Sequence, residues 1–307
     1  MEMRQVFGAY LDSEMEKNPD IILLDADLAR ANGTLPLHNK YKDRAIDVGI
    51  QESNMVCVAA GLSSYGFIPY CTTFTPFMTR RVCDQVAISG AYAKSNIKCV
   101  GTDPGIAAEL NGGTHMSVED LGVLRSIPEM TIVEPCDEVQ LKALLPQITA
   151  YKGMVYLRLF RKQTPVIYDE NEQFDLFKAK VMREGTDITI LTTGIMVKHT
   201  LDAVEMLKEK GINAEVINVF TLKPLDKETI IASAKKTGKV LTCENHNVVG
   251  GLYSATCEAL ACECPTLVKG IGIPDVFGEV GKMPDLLKKF GMTAQDICDT
   301  AVAMCQK

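Results

Sequence analysis

Short apolar runs recur along this chain, separated by longer stretches in which apolar residues return every three or four positions. This alternation constrains the fold more than any other feature. Apolar runs without a polar face suit strands buried on both sides, and the amphipathic stretches between them suit covering helices. The runs Ile21–Leu24, Ile68–Cys71, Ile97–Val100, Thr131–Val133 and Val155–Leu159 predict strands. Met78–Ala91 predicts a helix, with Met78, Val82, Val86 and Ala87 on one face. From Pro165 to Glu184 the text turns charged and aperiodic, as a connection does. The alternation then restarts with strands at Ile188–Leu191, Val216–Val219, Val240–Thr242 and Leu267–Gly270. Gly194 opens a helix that Gly211 closes, and Thr293 with Asp296 forms a capping-box pattern before the last helix. The expectation is an α/β protein of two consecutive domains, 1–175 and 176–307, each with a mainly parallel sheet flanked by helices.

Composition removes several classes of function. The net charge is −7 with no basic stripe, which disfavours a nucleic-acid-binding surface. No apolar window approaches the length of a membrane span, and the first residues lack the apolar region of a signal peptide, so a cytoplasmic protein is expected. The 11 cysteines form no framework and are read as small buried apolar residues. The four histidines (His38, His115, His199, His246) have no metal-ligand spacing, and no metal site is expected from this chain. His38 and His199 are read as incidental.

Four segments carry chemistry. In RAIDVGIQESNMVCVAAG, Glu52 opens an apolar helical run, where a solvated first-turn carboxylate is the plain alternative. In YCTTFTPFMTRRVCDQ, Phe74 and Phe77 stand three apart, a spacing that core packing also explains. GTDPGIAAELNGGTHMSVED is a polar, glycine-rich stretch ending near His115, too long for filler in a compact domain. In LRLFRK, Arg158 and Arg161 end a strand where parallel sheets present ligands. P-loop, dinucleotide-binding and nucleophile-elbow patterns are missing.

Taken in order, these segments resemble the pyrimidine-binding and C-terminal domains of transketolase over essentially the whole chain. D-x-G-I-x-E at Asp47–Glu52 is similar to the family's catalytic-glutamate motif, and T-F-x-x-F at Thr73–Phe77 to its cofactor-stacking motif. G-x-T-H at Gly112–His115 and the Leu159-Phe160-Arg161 strand end resemble its substrate motifs. The later text T-G-I-M-V and E-N-H-N-V-V-G-G resembles the family's third domain, expected to be structural and subunit-organising, with His246 near an interface or the site's rim as the lesser reading. No G-D-G with a downstream Asn, the pattern that holds metal and diphosphate, is present. The resemblance therefore implies the carboxy-terminal half of a split enzyme. Its partner would be an N-terminal-half subunit in an α₂β₂ heterotetramer. Thiamine diphosphate would be shared between the two, with Mg²⁺ or Ca²⁺ held by the partner.

The resemblance assigns Glu52 to the aminopyrimidine, and places Asp27, Ile50, Phe74, Phe77 and Arg80 around the cofactor. It puts His115 at the reacting oxygens, and Arg4, Ala31, Thr102, Asp103, Asn111 and Arg161 at the substrate. Some of these depart from the family pattern. Thr102 replaces a histidine, Asn111 an aspartate and Arg80 a tyrosine, while Ala31 falls near a phosphate-binding serine. The loop around Ala108–Leu110 is also one residue longer. The expected reaction is transfer of a two-carbon ketol unit from an anionic ketose to an aldose, in pentose-phosphate-type carbohydrate metabolism, with altered sugar specificity. The β subunit of a 2-oxo-acid dehydrogenase and a deoxyxylulose-phosphate-synthase fragment are the rival readings. The G-x-T-H turn and the strand end favour transketolase over the first; the second is normally a single long chain. Glu52, Phe74 and His115 together argue against an inactive scaffold.

Overall fold

The computed structural model describes residues 1–306. Twelve strands follow in chain order: β1 Ile21–Asp25, β2 Ala45–Asp47, β3 Ile68–Phe74, β4 Lys98–Thr102, β5 Met130–Val133, β6 Met154–Leu159, β7 Lys180–Arg183, β8 Ile188–Thr192, β9 Ala214–Asn218, β10 Thr221–Lys223, β11 Lys239–Asn247 and β12 Leu267–Ile273. They form a seven-stranded sheet, ordered β10-β5-β6-β4-β3-β1-β2, and a five-stranded sheet, ordered β12-β11-β8-β9-β7. Every pairing is parallel except β10 with β5 and β7 with β9. The β1, β4, β5, β6, β8 and β9 strands are buried throughout, as sheets covered by helices on both faces require.

Each expected strand is present, but three features differ from the sequence reading. The segment read as a connection ends in β7, a short edge strand bearing Lys180 and Arg183, charges that suit an edge. β10 lies well beyond residue 175 yet completes the first sheet, so the two halves share a sheet across the expected boundary. The segment Met78–Ala91 is not one helix. Thr75–Met78 is α-helical, Arg80–Val82 is 3₁₀, Cys83–Gln85 is α-helical and Val86–Tyr92 is a π-helix. The break falls at Thr79 (φ −120°, ψ −86°), whose hydroxyl donates to the Thr75 carbonyl at 2.7 Å. Met78, Val82 and Val86 still face the core.

The cysteines divide. Cys71, Cys99, Cys136, Cys243 and Cys298 are buried, whereas Cys57 and Cys262 are exposed and the remaining four are half-buried. The uniform reading as core residues is corrected accordingly. No helix among the described residues is long and apolar enough to cross a membrane.

Between the two halves lies a buried charge network. Arg158 does not reach a ligand site. Its guanidinium is fully buried and donates to Asp120 at 2.6 and 3.1 Å, to the Asn245 carbonyl at 2.7 Å and to Glu134. Beside it, His246 Nε2 accepts from the Leu121 N–H at 3.1 Å, while Nδ1 bonds the Asn247 carbonyl at 2.6 Å. Burial pushes the His246 pKa down to about 4; Asp120 opposes the shift and Arg158 adds to it. His246 is thus fully buried where the two halves of the chain meet. Glu244 takes the Leu252 and Tyr253 N–H groups at 2.6 and 2.8 Å, and burial pushes its carboxyl up to about 8.

Candidate active site

The candidate residues gather at the carboxyl ends of β1, β2, β3, β4 and β6, where parallel sheets leave a crevice. The turn after β2 is built by Asp47. Its Oδ1 accepts the N–H groups of Gly49 at 2.8 Å and Asp27 at 3.0 Å. Gly49 has φ +76°, a conformation glycine adopts without strain, and the helix Glu52–Ser64 begins three residues later. Glu52 thus sits at a helix N-terminus, where backbone N–H groups favour a carboxylate. It is only 3% exposed, so it is not the solvated carboxylate of the plain reading.

Glu52 has a partner the sequence reading missed. Arg81 donates to its Oε1 at 2.5 Å, and its Cζ lies over the Phe77 ring, 3.7 Å from the centroid. Phe74 and Phe77 are 6.1 Å apart, and the His115 ring stands edge-on to both, at 5.9 and 5.3 Å. Arg80, expected at the cofactor, is engaged elsewhere. It donates to Glu119 at 2.8 Å and to the Thr114 carbonyl at 3.0 Å, steadying the turn that carries His115. The break at Thr79, invisible in the periodicity, immediately precedes the two arginines that turn opposite ways.

The same aromatic pair leads to a cationic end. The Arg161 guanidinium lies 4.8 Å from the Phe74 centroid. Asp103, at φ +54° and 3% exposed, holds it through Nε at 2.6 Å and also through Nη2. Arg161 and Arg4 both direct Nη1 at the Ala31 carbonyl, at 3.4 and 3.0 Å. Arg4, Ala31, Asp103 and Arg161 are therefore brought together. Thr102 is not part of this face. It is 1% exposed, and its hydroxyl donates inward to Asn32 at 2.9 Å, so its expected substrate contact is corrected to a supporting one. Asp27, Asn111 and Ile50 are exposed; Ile50 lies in the Asp47 turn and Asn111 in the loop before His115.

Behind this face is a polar cluster the sequence reading left out. Buried Asp25 accepts from His38 at 2.7 Å, Thr34 at 2.8 Å, Asn32 at 3.4 Å and Thr72. The hydrogen bond to Asp25 raises the His38 pKa against the opposing effect of burial, so His38 is not incidental. An aspartate closing the apolar run IILLD was the available signal. His199 lies apart, on the helix Met196–Glu209, where burial lowers its pKa.

A buried carboxylate beside two aromatic faces fits a flat nitrogen heterocycle that needs a proton partner and apolar contact. Two arginines converging on a small residue fit an anion.

Residues 1–166 match the family model of the transketolase pyrimidine-binding domain, and residues 177–297 that of the transketolase C-terminal domain. The 6-deoxy-6-sulfo-D-fructose transketolase subunit of Clostridium sp. (strain MSTE9) is 50% identical over 299 residues, covering 97% of this chain and 93% of that protein. One subunit of the apulose-4-phosphate transketolase of Phocaeicola vulgatus is 35% identical over 308 residues, covering 99% of this chain and 97% of that protein. A solved structure of a split-gene transketolase, an inactive beta4 tetramer, superposes with a TM-score of 0.90 at 36% identity, over 100% of this chain and 98% of that one.

Proposed function

This chain belongs to the transketolase family and is a transketolase-type subunit, and we propose that with an N-terminal-half partner it transfers a ketol unit from a sulfonated ketose to an aldose. The observation that carries this reading is the continuity of the crevice. One run of contacts joins Glu52, Arg81, Phe77, His115 and Phe74 to Arg161, Asp103, Ala31 and Arg4.

Thiamine diphosphate, when bound, supplies the nucleophilic carbon that carries the two-carbon unit. This chain's part is to prepare and position. Glu52 holds and moves a proton at a ring nitrogen of the aminopyrimidine, released from Arg81 for that purpose. Phe74 and Phe77 give that ring its apolar walls, with Ile50 and Asp27 at the edge. His115 handles protons at the substrate's hydroxyl and carbonyl oxygens. Arg4 and Arg161 bind the anionic end. The metal and diphosphate belong to the partner in this reading, on the missing G-D-G text, and the assembly is a cytoplasmic α₂β₂ heterotetramer. The pyrimidine-binding and C-terminal domains meet at 175/176.

Sulfonate rather than phosphate is proposed for a physical reason. Ala31, whose carbonyl both guanidinium groups meet, carries a methyl where the family pattern has a hydroxyl nearby, and Thr102 has turned its hydroxyl inward. Two forks without added neutral donors suit a monoanion with three oxygens. The relative from Clostridium, named for 6-deoxy-6-sulfo-D-fructose, supports the choice. The test is a substrate panel on the reconstituted pair: 6-deoxy-6-sulfo-D-fructose against fructose 6-phosphate and xylulose 5-phosphate. The sulfonated donor should have the highest kcat/KM, and the chain alone should be inactive. A phosphorylated donor faster by an order of magnitude would sink the substrate assignment.

A further inference from the structure

The loop between β4 and the helix Asp120–Arg125 carries Asn111 and His115, and its shape is not set by its own residues alone. Glu109 lies at φ +47°, ψ −116°, a conformation that residues with a β carbon avoid. Its carboxylate is held twice. Oε1 accepts the Met283 N–H at 3.1 Å, from the second half of the chain, and Oε2 pairs with Lys162, the neighbour of Arg161. Burial pushes this carboxyl up, but Lys162 and the Met283 N–H outweigh burial and hold it below the usual range. The loop's start is fixed from the same half, since Asn245 accepts the Ile106 N–H and donates to the Pro104 carbonyl, both at 2.9 Å. At its far end the backbones touch. A β carbon on Gly113 would lie 2.5 Å from the Gly278 oxygen, and one on Gly112 2.7 Å from Val280 Cγ2.

We propose that Glu109 is a positioning residue: by bridging Met283 and Lys162 it lets the C-terminal half set where Asn111 and His115 stand toward the sugar acceptor. The inference rests on the ketol-transfer reading given above. It follows that the C-terminal half contributes to substrate recognition. The Glu109 carboxylate bonds Lys162 and the Met283 N–H and none of Glu52, Phe74 or Phe77, so cofactor binding should be indifferent to it.

Two substitutions in the reconstituted enzyme separate positioning from mere strain. Glu109→Gln keeps the backbone conformation and removes the charge; Glu109→Gly relieves the conformation and removes both bonds. Both should raise the acceptor KM about tenfold, with cofactor half-saturation within about twofold of wild type. Lys162→Met should reproduce the effect, and Glu109→Gln with Lys162→Met should be no worse than either alone. An acceptor KM within about twofold of wild type in Glu109→Gly, or a multiplicative double variant, overturns the proposal. Hydrogen exchange gives a readout independent of turnover. Amides of residues 105–116 should exchange about tenfold faster in Glu109→Gly, and unchanged exchange also overturns it. A wild-type pair that transfers no ketol unit to any sugar would sink the functional reading, while the exchange result would still decide this one.

Discussion

The two ends of the crevice are built on different principles. At the Glu52 end, two short motifs, each fixed by its own local pattern, create the chemical environment: a tight turn with a helix start in one and two aromatic rings in the other. At the Ala31 end, residues from four separate stretches meet: Arg4 from the first helix, Ala31 after β1, Asp103 after β4 and Arg161 after β6. The first end depends on local geometry and tolerates little change. The second depends on assembly, so one residue can change there without disturbing the others. Reaction type and sugar preference can therefore diverge independently.

Glu52→Gln should show the largest effect, lowering kcat by about 10²–10⁴ for every donor alike, because an amide cannot exchange a proton with the aminopyrimidine as a carboxylate can. A changed donor preference in that variant would mean the two ends are coupled. Next in size is a change at the buried contact between the two halves of the chain. Folded His246 is held neutral, with its pKa pushed from 6.5 to about 4, whereas the unfolded chain takes up the proton near the ordinary value. Its contribution is complete above pH 6.5 and is lost as pH falls from there toward 4, amounting to about 3 kcal/mol. His246→Gln keeps an acceptor for the Leu121 N–H and does not titrate. Thermal melts across this window should show wild type losing stability faster than the variant, and parallel curves would remove His246 from the account.

Arg161→Lys keeps the charge and loses the fork that Asp103 orients. The kcat/KM of anionic donors should fall about tenfold, with cofactor half-saturation unmoved. The smallest expected change sharpens the comparison most. Ala31→Ser adds a hydroxyl to the residue whose carbonyl both arginines hold and should shift the ratio of phosphorylated to sulfonated donor about fivefold toward phosphate, with kcat on the better donor little altered. No shift in the ratio would show that the methyl is not what the site reads.

What could be read from the sequence follows the same division. The buried strands were legible because apolar runs without a polar face have few alternatives, and the Thr293–Asp296 capping box because it is local; both of its bonds are present. Glu52 and the Phe74–Phe77 pair were legible because short motifs carry them. Thr102 was not. In a strand covered on both faces, sequence does not say which way a threonine points. Arg81 was hidden by the break at Thr79, and β10 by its pairing with a strand some ninety positions earlier in the chain. Glu109 could be seen only as one residue too many in a loop. Its backbone conformation depends on Met283, which no local pattern foretells.

The strand that crosses between the halves bears on how such a chain can be inherited. β10 covers the outer edge of β5. A gene fragment ending at the linker would encode a sheet with β5 bare, its N–H and C=O groups open to any passing strand, and such edges invite aggregation. Recombination at the linker therefore gives a first half that is insoluble unless the newcomer brings its own strand to that edge. Exchange of both halves together avoids the problem. In a lineage of such genes, the heritable module is the pair, and a cut that looks clean on paper divides a single sheet.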